Sequence, residues 1–391
     1  MDNNALMQSP MACSGCGACS VVCPVNAITM KEEADGCLYP RIDQASCLHC
    51  NKCADVCVFQ RHPQGHAPLA AYAALGREEE LVRKSASGGV FSALAKAFMQ
   101  DGGKIAGAVM DLKQNSARVY HLLSDKEADL QRMQGSKYVQ SEAWECYKQV
   151  QKALKEGSHV LFSGTPCQVA AVKRITGDPS NLVTMDLVCH GVPSLKMLND
   201  FLSIFTNRLK GSLQNFSFRT KTAKRPFSAH IVTDKRDYLF NASQLSYYKL
   251  FLNGIIYRDS CYHCPYACME RVADLTMGDY WGVKEKHGHQ MASGEMPERK
   301  DYSCLLVNTE KGSNFLGQYG ENLQCFPSEA KWIAENNEQL NTPSSPGKGR
   351  EEMLNLYKEK GYGAVEKAFV RQAGGRLRYE WRLFKKMREK G

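Results

Sequence analysis

Cys13-Ser14-Gly15-Cys16-Gly17-Ala18-Cys19-Ser20-Val21-Val22-Cys23-Pro24 is followed, after a short gap, by Cys47-Leu48-His49-Cys50-Asn51-Lys52-Cys53-Ala54-Asp55-Val56-Cys57. Both stretches read Cys-x2-Cys-x2-Cys-x3-Cys. Three thiolates spaced by two residues wrap one face of a cubane, and the fourth reaches across to a second cubane. Cys13, Cys16, Cys19 and Cys57 are therefore expected to hold one [4Fe-4S] cluster, and Cys47, Cys50, Cys53 and Cys23 another. Ser14, Gly15, Gly17 and Ala18 are small enough to let backbone amides approach cluster sulfurs. The second run is bulkier, and its last cysteine precedes Val58 where Pro is usual. Zinc knuckles and disulfide frameworks also use closely spaced cysteines, but a zinc site takes four ligands in two pairs and has no need of a doubled run of four. Cys37, between the runs, reads as a small buried hydrophobe.

At 391 residues the chain is long enough for two or three folded units and a sizeable core. Its seventeen cysteines accompany no visible signal peptide in residues 1–12, so an oxygen-poor cytoplasm is the expected compartment. No apolar run approaches the roughly 18 residues of a membrane span. The formal charge of +9 is concentrated at the end, where residues 347–391 hold thirteen Lys and Arg against six Glu. Such a segment serves as a solvated helix face or docks an acidic redox partner or anionic surface. Nucleic acid is not expected, since no finger, helix-turn-helix or aromatic-interleaved basic sheet accompanies the charge.

The expected architecture is α+β. A dicluster ferredoxin-like domain spans 1–62 and ends in the polar, proline-bearing stretch Arg61 to Pro68. A mixed α/β domain follows as two parts, 68–140 and 141–340, with much of its sheet parallel. A second linker, Asn341 to Gly349, leads to a basic helical tail over 347–391. Within the α/β domain a helix is predicted over Val90 to Gln100 and strands over Ile105 to Met110, His159 to Ser163 and Leu182 to Val188. Helices follow from Gln168 and, capped by Ser194, after Pro193. Leu213 to Arg219, Ala229 to Val232 and Tyr238 to Phe240 read as antiparallel strands. Twice a buried strand runs into a loop bearing a cysteine, Cys167 and Cys189, at the strand end where α/β sheets collect ligands.

Cys261-x2-Cys264-x3-Cys268 is a third compact cysteine group and implies a third cluster, completed from Cys167 and Cys189. Zinc and plain core packing are the rival readings. Cys146, Cys304 and Cys325 sit in ordinary helix or strand patterns and read as packing residues. Ser85-Ala86-Ser87-Gly88-Gly89 before a helix is a plain N-cap turn or a phosphate cradle. Gly135-Ser136-Lys137-Tyr138 adds a cation, an aromatic ring and hydroxyls in one loop. There is no Walker loop, nucleophile elbow or Gly-x-Gly-x-x-Gly turn.

Taken together, Ser85 to Phe91, Gly135 to Tyr138, Gly164-Thr165-Pro166-Cys167-Gln168, Cys189-His190-Gly191-Val192-Pro193-Ser194, and Cys261-x2-Cys264 followed by Ala273 to Gly282 resemble the coenzyme F420 hydrogenase/dehydrogenase beta-subunit family, with a dicluster ferredoxin fused on. The resemblance implies one FAD and at least one [4Fe-4S] cluster in the α/β domain. It implies a flavin lined by Ser85, Ser87, Gly88, Gly89, Ser136, Lys137, Tyr138, Gly164, Thr165 and Gln168. It makes Cys189, Cys261 and Cys264 cluster ligands, with Cys167 favoured over Cys268 as the fourth. Lys137, Tyr138, His190 and Asp279 are the motif-embedded groups able to move a proton. The expected function is an iron-sulfur flavoprotein oxidoreductase that exchanges electrons with ferredoxin or another redox protein. It would pass hydride to or from a small organic molecule, deazaflavin F420 or another reducible metabolite. An electron-transfer subunit serving a catalytic partner is the alternative, and a redox sensor or scaffold with structural clusters is a third reading.

Overall fold

The computed structural model describes residues 10–221 and 227–388, with side chains through Leu383. The expectations for 1–9 and 389–391 lie outside the described residues. Near the start, an antiparallel hairpin of Ile28–Glu32 with Leu38–Ile42 lies beside two short helices, Ala18–Val21 and Lys52–Asp55, that follow the second cysteine of each run.

An eight-stranded mixed sheet forms the centre. In spatial order it runs Leu323–Ser328, Ala70–Gly76, Ser303–Val307, Leu275–Asp279, Leu182–Leu187, Val160–Gly164, Lys104–Lys113 and Ser116–Ser124. The inner four, from Leu275–Asp279 to Lys104–Lys113, are parallel, and antiparallel strands extend both sides. Parallel strands need both faces covered, and the neighbours Val160–Gly164 and Leu182–Leu187 are accordingly buried. Helix Val90–Gln100 begins after Gly89 at φ +79° and lays Leu94, Ala95 and Phe98 on the sheet. Helix Pro166–Thr176 starts with a reciprocal cap between Thr165 and Gln168. Ser194 caps Leu195–Leu209 by accepting from the Met197 amide.

A separate three-stranded antiparallel sheet, Leu213–Ser217, Ser228–Thr233 and Asp237–Asn241, packs with Leu195–Leu209. The C-terminal helices Arg350–Lys360 and Tyr362–Gln372 bury Tyr357, Tyr362 and Phe369 in that same cluster, so the basic segment is built onto the body of the protein. The stretch 61–68 is likewise held: His66 and Arg271 exchange backbone hydrogen bonds at 2.8 and 2.9 Å. The cysteine-rich unit therefore docks on the larger one.

Candidate iron-sulfur and flavin centre

Cys23, Cys47, Cys50 and Cys53 line one cavity beside Leu48 and His49. These are the four thiols the spacing assigns to the second cluster. This is the outer set, with Cys50 exposed and Leu48 62 % exposed. Backbone amides reach its sulfurs, from His49 to Cys47 at 3.4 Å and from Ala27 to Cys23 at 3.2 Å.

The other ferredoxin set faces inward. The Cys19 thiol is pushed up by burial and by repulsion from Cys16, Cys13 and Cys57, and also from Cys53 of the outer set. Burial drives Cys16 up to about 12, and Cys167 adds to the repulsion it feels. Left-handed backbone recurs at matching places in the two runs, Gly15 and Gly17 in the first and His49 and Asn51 in the second. In the inner run a Cβ on Gly15 would meet Arg258 at 2.5 Å, and one on Gly17 would meet Trp144 at 2.7 Å. The exposed run has no such neighbour requirement, and side chains are tolerated there.

The larger domain supplies the third set. Adjacent parallel strands end at Gly164 and Leu187, and Cys167 and Cys189 follow on their carboxyl side. Cys189 is pushed up by burial and by Cys261, Cys167 and Cys264; Cys261, at about 11, and Cys264, at about 12, are raised by burial first and then also by Cys167. Cys167 lies in the first turn of its helix, 3.2 Å from Thr165 Oγ1, where the helix dipole favours a thiolate. Gly191 at φ +132° admits the Tyr257 ring and the Cys261 Cβ. Cys268 points elsewhere, toward the Glu270 carbonyl at 3.2 Å. Arg271 pins this loop by an ion pair with buried Asp186 at 2.9 Å and bonds to the Tyr266 and Cys268 carbonyls. Among the described residues no three His, Cys, Asp or Glu side chains close on one point as ligands of a single ion do; cubane ligands stand around a volume. The buried Tyr147 hydroxyl has no partner and faces the charges of Cys16 and Cys167, so a donor stands ready for a cluster sulfur.

The residues expected at a flavin divide into two groups. Ser87 Oγ donates to the Tyr302 carbonyl, and the Gly88 amide is taken by Ser303 Oγ, both at 2.9 Å. A Cβ on Gly88 would meet the Ala74 carbonyl at 2.3 Å, so packing of the turn on the sheet itself demands that glycine. Ser85 contacts Ser92, which accepts from Gln134; the other amide atom of Gln134, Oε1, is buried without a partner. Lys137 gives its three N–H groups to the Arg132, Met133 and Gln134 carbonyls at the end of helix Glu127–Met133, and burial lowers its pKa to about 7. Gln168 serves the helix cap and donates to Ser141.

Tyr138, beside Ser136, stacks on Phe251 at 4.4 Å and is raised by burial, with Arg219 pulling it down and Asp279 pushing it up. Arg219 pairs with Asp279 at 2.6 Å. Desolvation lowers the His190 imidazole, against the pull of Asp279 and Glu338. Tyr248 brings a buried, unpartnered hydroxyl into the same group. The structure thus gathers Tyr138, His190 and Asp279, leaves Lys137 on its helix end, and adds Arg219, Lys221 and Tyr248, which no motif announced. Lys221 bridges Asp301 and the Ser87 carbonyl. Orphaned Gln134 and Tyr248 and the two cations suit a polar, anionic cofactor or substrate.

Two four-thiol sets on a ferredoxin-like unit define an iron-sulfur protein carrying a dicluster domain. Residues 12–60 match the 4Fe-4S dicluster domain, and residues 157–326 match the C terminus of the coenzyme F420 hydrogenase/dehydrogenase beta subunit. The chain joins a 4Fe-4S dicluster domain to the C-terminal region of that beta-subunit family. An uncharacterized protein of Methanocaldococcus jannaschii is 30 % identical over 211 residues, covering 44 % of this chain and 54 % of the relative. The F component of the F(420)H(2) dehydrogenase of Methanosarcina mazei is 26 % identical over 170 residues, 42 % of this chain and 48 % of the relative. The chain spans about half the length of these curated relatives. A chain in the solved F420-reducing [NiFe] hydrogenase complex of Methanosarcina barkeri aligns at 17 % identity and a TM-score of 0.45, over 78 % of this chain and 95 % of that one. No helix among the described residues is long and apolar enough to cross a membrane.

Proposed function

We propose that the protein is an iron-sulfur flavoprotein oxidoreductase, exchanging electrons with a redox protein at its exposed cysteine set and hydride with a small organic substrate at the Tyr138–Arg219–Asp279 group. Deazaflavin F420, named for the M. mazei relative, is one substrate of the proposed class, and another reducible metabolite is the other. The observation that carries the reading is the succession of thiol sets. Cys53 of the outer set neighbours Cys19, Cys16 neighbours Cys167, and Tyr257 stands among Cys189, Cys261 and Tyr138.

Cys13, Cys16, Cys19 and Cys57 would hold the inner ferredoxin cluster, Cys23, Cys47, Cys50 and Cys53 the outer one, and Cys167, Cys189, Cys261 and Cys264 the third. When bound, the clusters supply one-electron steps and FAD converts them to a two-electron hydride exchange. FAD would lie along the rim formed by the Ser85–Gly89 turn, Gln134, Ser136, Tyr138 and the strand end at Gly164 and Thr165. Arg219 orients anionic groups, while the Asp279 carboxylate and the His190 imidazole hold or accept a proton beside it. The aromatic wall of Tyr138 and Phe251 excludes water.

Reduction of F420 and of artificial hydride acceptors, with a chemical one-electron donor under anaerobic conditions, tests this reading. Turnover that falls by about two orders of magnitude in Asp279→Asn and Arg219→Met, with clusters retained, is the expected result. Absence of turnover until a partner protein is supplied would replace it with the electron-transfer reading.

A further inference from the structure

The last helix, Arg376–Arg388, has two different faces. Tyr379 and Leu383 are buried; Tyr379 donates to the Gln244 carbonyl at 2.8 Å, lies under Arg208 and meets Phe369 edge-on. On another face Leu377 and Trp381, one turn apart, are 86 % and 62 % exposed. Leu377 and Trp381 are the most prominent apolar residues at this end of the molecule, and exposed Arg376, Arg378 and Arg382 surround them. Arg376 is paired with Glu380. Residues 376–391 carry seven Lys and Arg against two Glu.

We propose that this helix docks the protein on an anionic lipid surface, with Leu377 and Trp381 entering the headgroup boundary and the flanking cations meeting acidic headgroups. The inner face is fastened to the fold, so the helix presents its outer ridge in a fixed direction. The ridge is convex and narrow. A lipid surface receives such a ridge without a shaped pocket, and Trp with Leu beside basic residues is the composition of interfacial helices. A protein partner would need a complementary groove and a larger apolar area. A second copy would bring like charges together. Docking here would hold the iron-sulfur protein at a membrane without a spanning segment.

Flotation of the intact, cluster-loaded protein under anaerobic conditions tests the proposal, using phosphatidylcholine vesicles with and without phosphatidylglycerol. The expected result is binding at low salt to the phosphatidylglycerol vesicles, about tenfold above that to phosphatidylcholine alone. That binding should fall about tenfold in Leu377→Ser/Trp381→Ser and, independently, in Arg378→Glu/Arg382→Glu. All four positions are exposed, and unchanged cluster absorbance verifies that the variants fold. Failure of the wild type to float with anionic vesicles would overturn the proposal, as would undiminished binding by either variant. A drop in solution mass in Leu377→Ser/Trp381→Ser without lipid would also overturn it, marking the ridge as a contact between copies.

Discussion

Arg258 Nη2 lies 3.8 Å from Cys13 Sγ, and Nε of the same guanidinium donates to the Cys13 carbonyl at 2.7 Å. The side chain is fully buried, 245 residues away in sequence, and sits 4.1 Å over the Tyr39 ring. Its remaining donors reach the Leu38 carbonyl and Gln140, whose own amide bonds the Ser14 and Gly15 carbonyls. One cation thus fastens the ferredoxin-like unit and places positive charge beside a ligand sulfur.

Positive charge near a cluster favours its reduced, more negative form. Arg258→Met is therefore expected to make the inner ferredoxin cluster harder to reduce. The shift should be roughly 60 mV, the one-electron equivalent of about 1.4 kcal/mol for a lost charge-assisted hydrogen bond. An EPR-monitored redox titration measures it, and the outer cluster serves as the internal standard.

Thiol substitution separates the two choices for the third cluster's fourth ligand. Cys167→Ala is expected to lose about four irons per chain, whereas Cys268→Ala keeps its full complement. Iron and acid-labile sulfide on anaerobically prepared protein decide between them. Equal loss in both variants would refute the four-thiol set described above.

Gly17→Ala forces a Cβ toward the Trp144 ring at a backbone φ of +78°. Loss of about 1–3 kcal/mol in docking of the cysteine-rich unit is expected. The matching change in the exposed run, Asn51→Ala, meets no such wall and should cost less. Limited proteolysis within 61–68 reports the docking directly.

Much of this arrangement is visible in the chain itself. The doubled cysteine spacing, the Ser194 cap and the helix over Val90–Gln100 are local signals, and the structure places them where the residues point. The outer strands carry weaker signals. Ala70–Gly76, reading Ala-Ala-Tyr-Ala-Ala-Leu-Gly, has little intrinsic strand preference and is a strand because Ser303–Val307 and Leu323–Ser328 pair on either side. Arg258 and Arg219 belong to no motif. Their importance arises from contacts across 245 and 60 residues, which no short window contains. Lys137 shows the converse: a motif residue that suggests chemistry and is drawn to three helix-end carbonyls.

His121 makes stability depend on pH. Its buried ring stacks on Phe162, contacts the Ser163 carbonyl at 3.0 Å and Ser141 Oγ at 3.1 Å, and burial lowers its pKa from 6.5 to about 4. Between those values the unfolded chain binds the extra proton, so the contribution is complete above pH 6.5 and is lost as pH falls toward 4. It amounts to about 3 kcal/mol. Denaturant midpoints across this window should fall more steeply for the wild type than for His121→Gln.

Quantifying iron, acid-labile sulfide and flavin on one anaerobically purified sample tests the central claim most directly. Three four-thiol sets and the polar rim predict about twelve irons with one FAD per chain. About eight irons and no flavin would contradict the account, leaving a dicluster domain fused to a fold without the proposed redox centre.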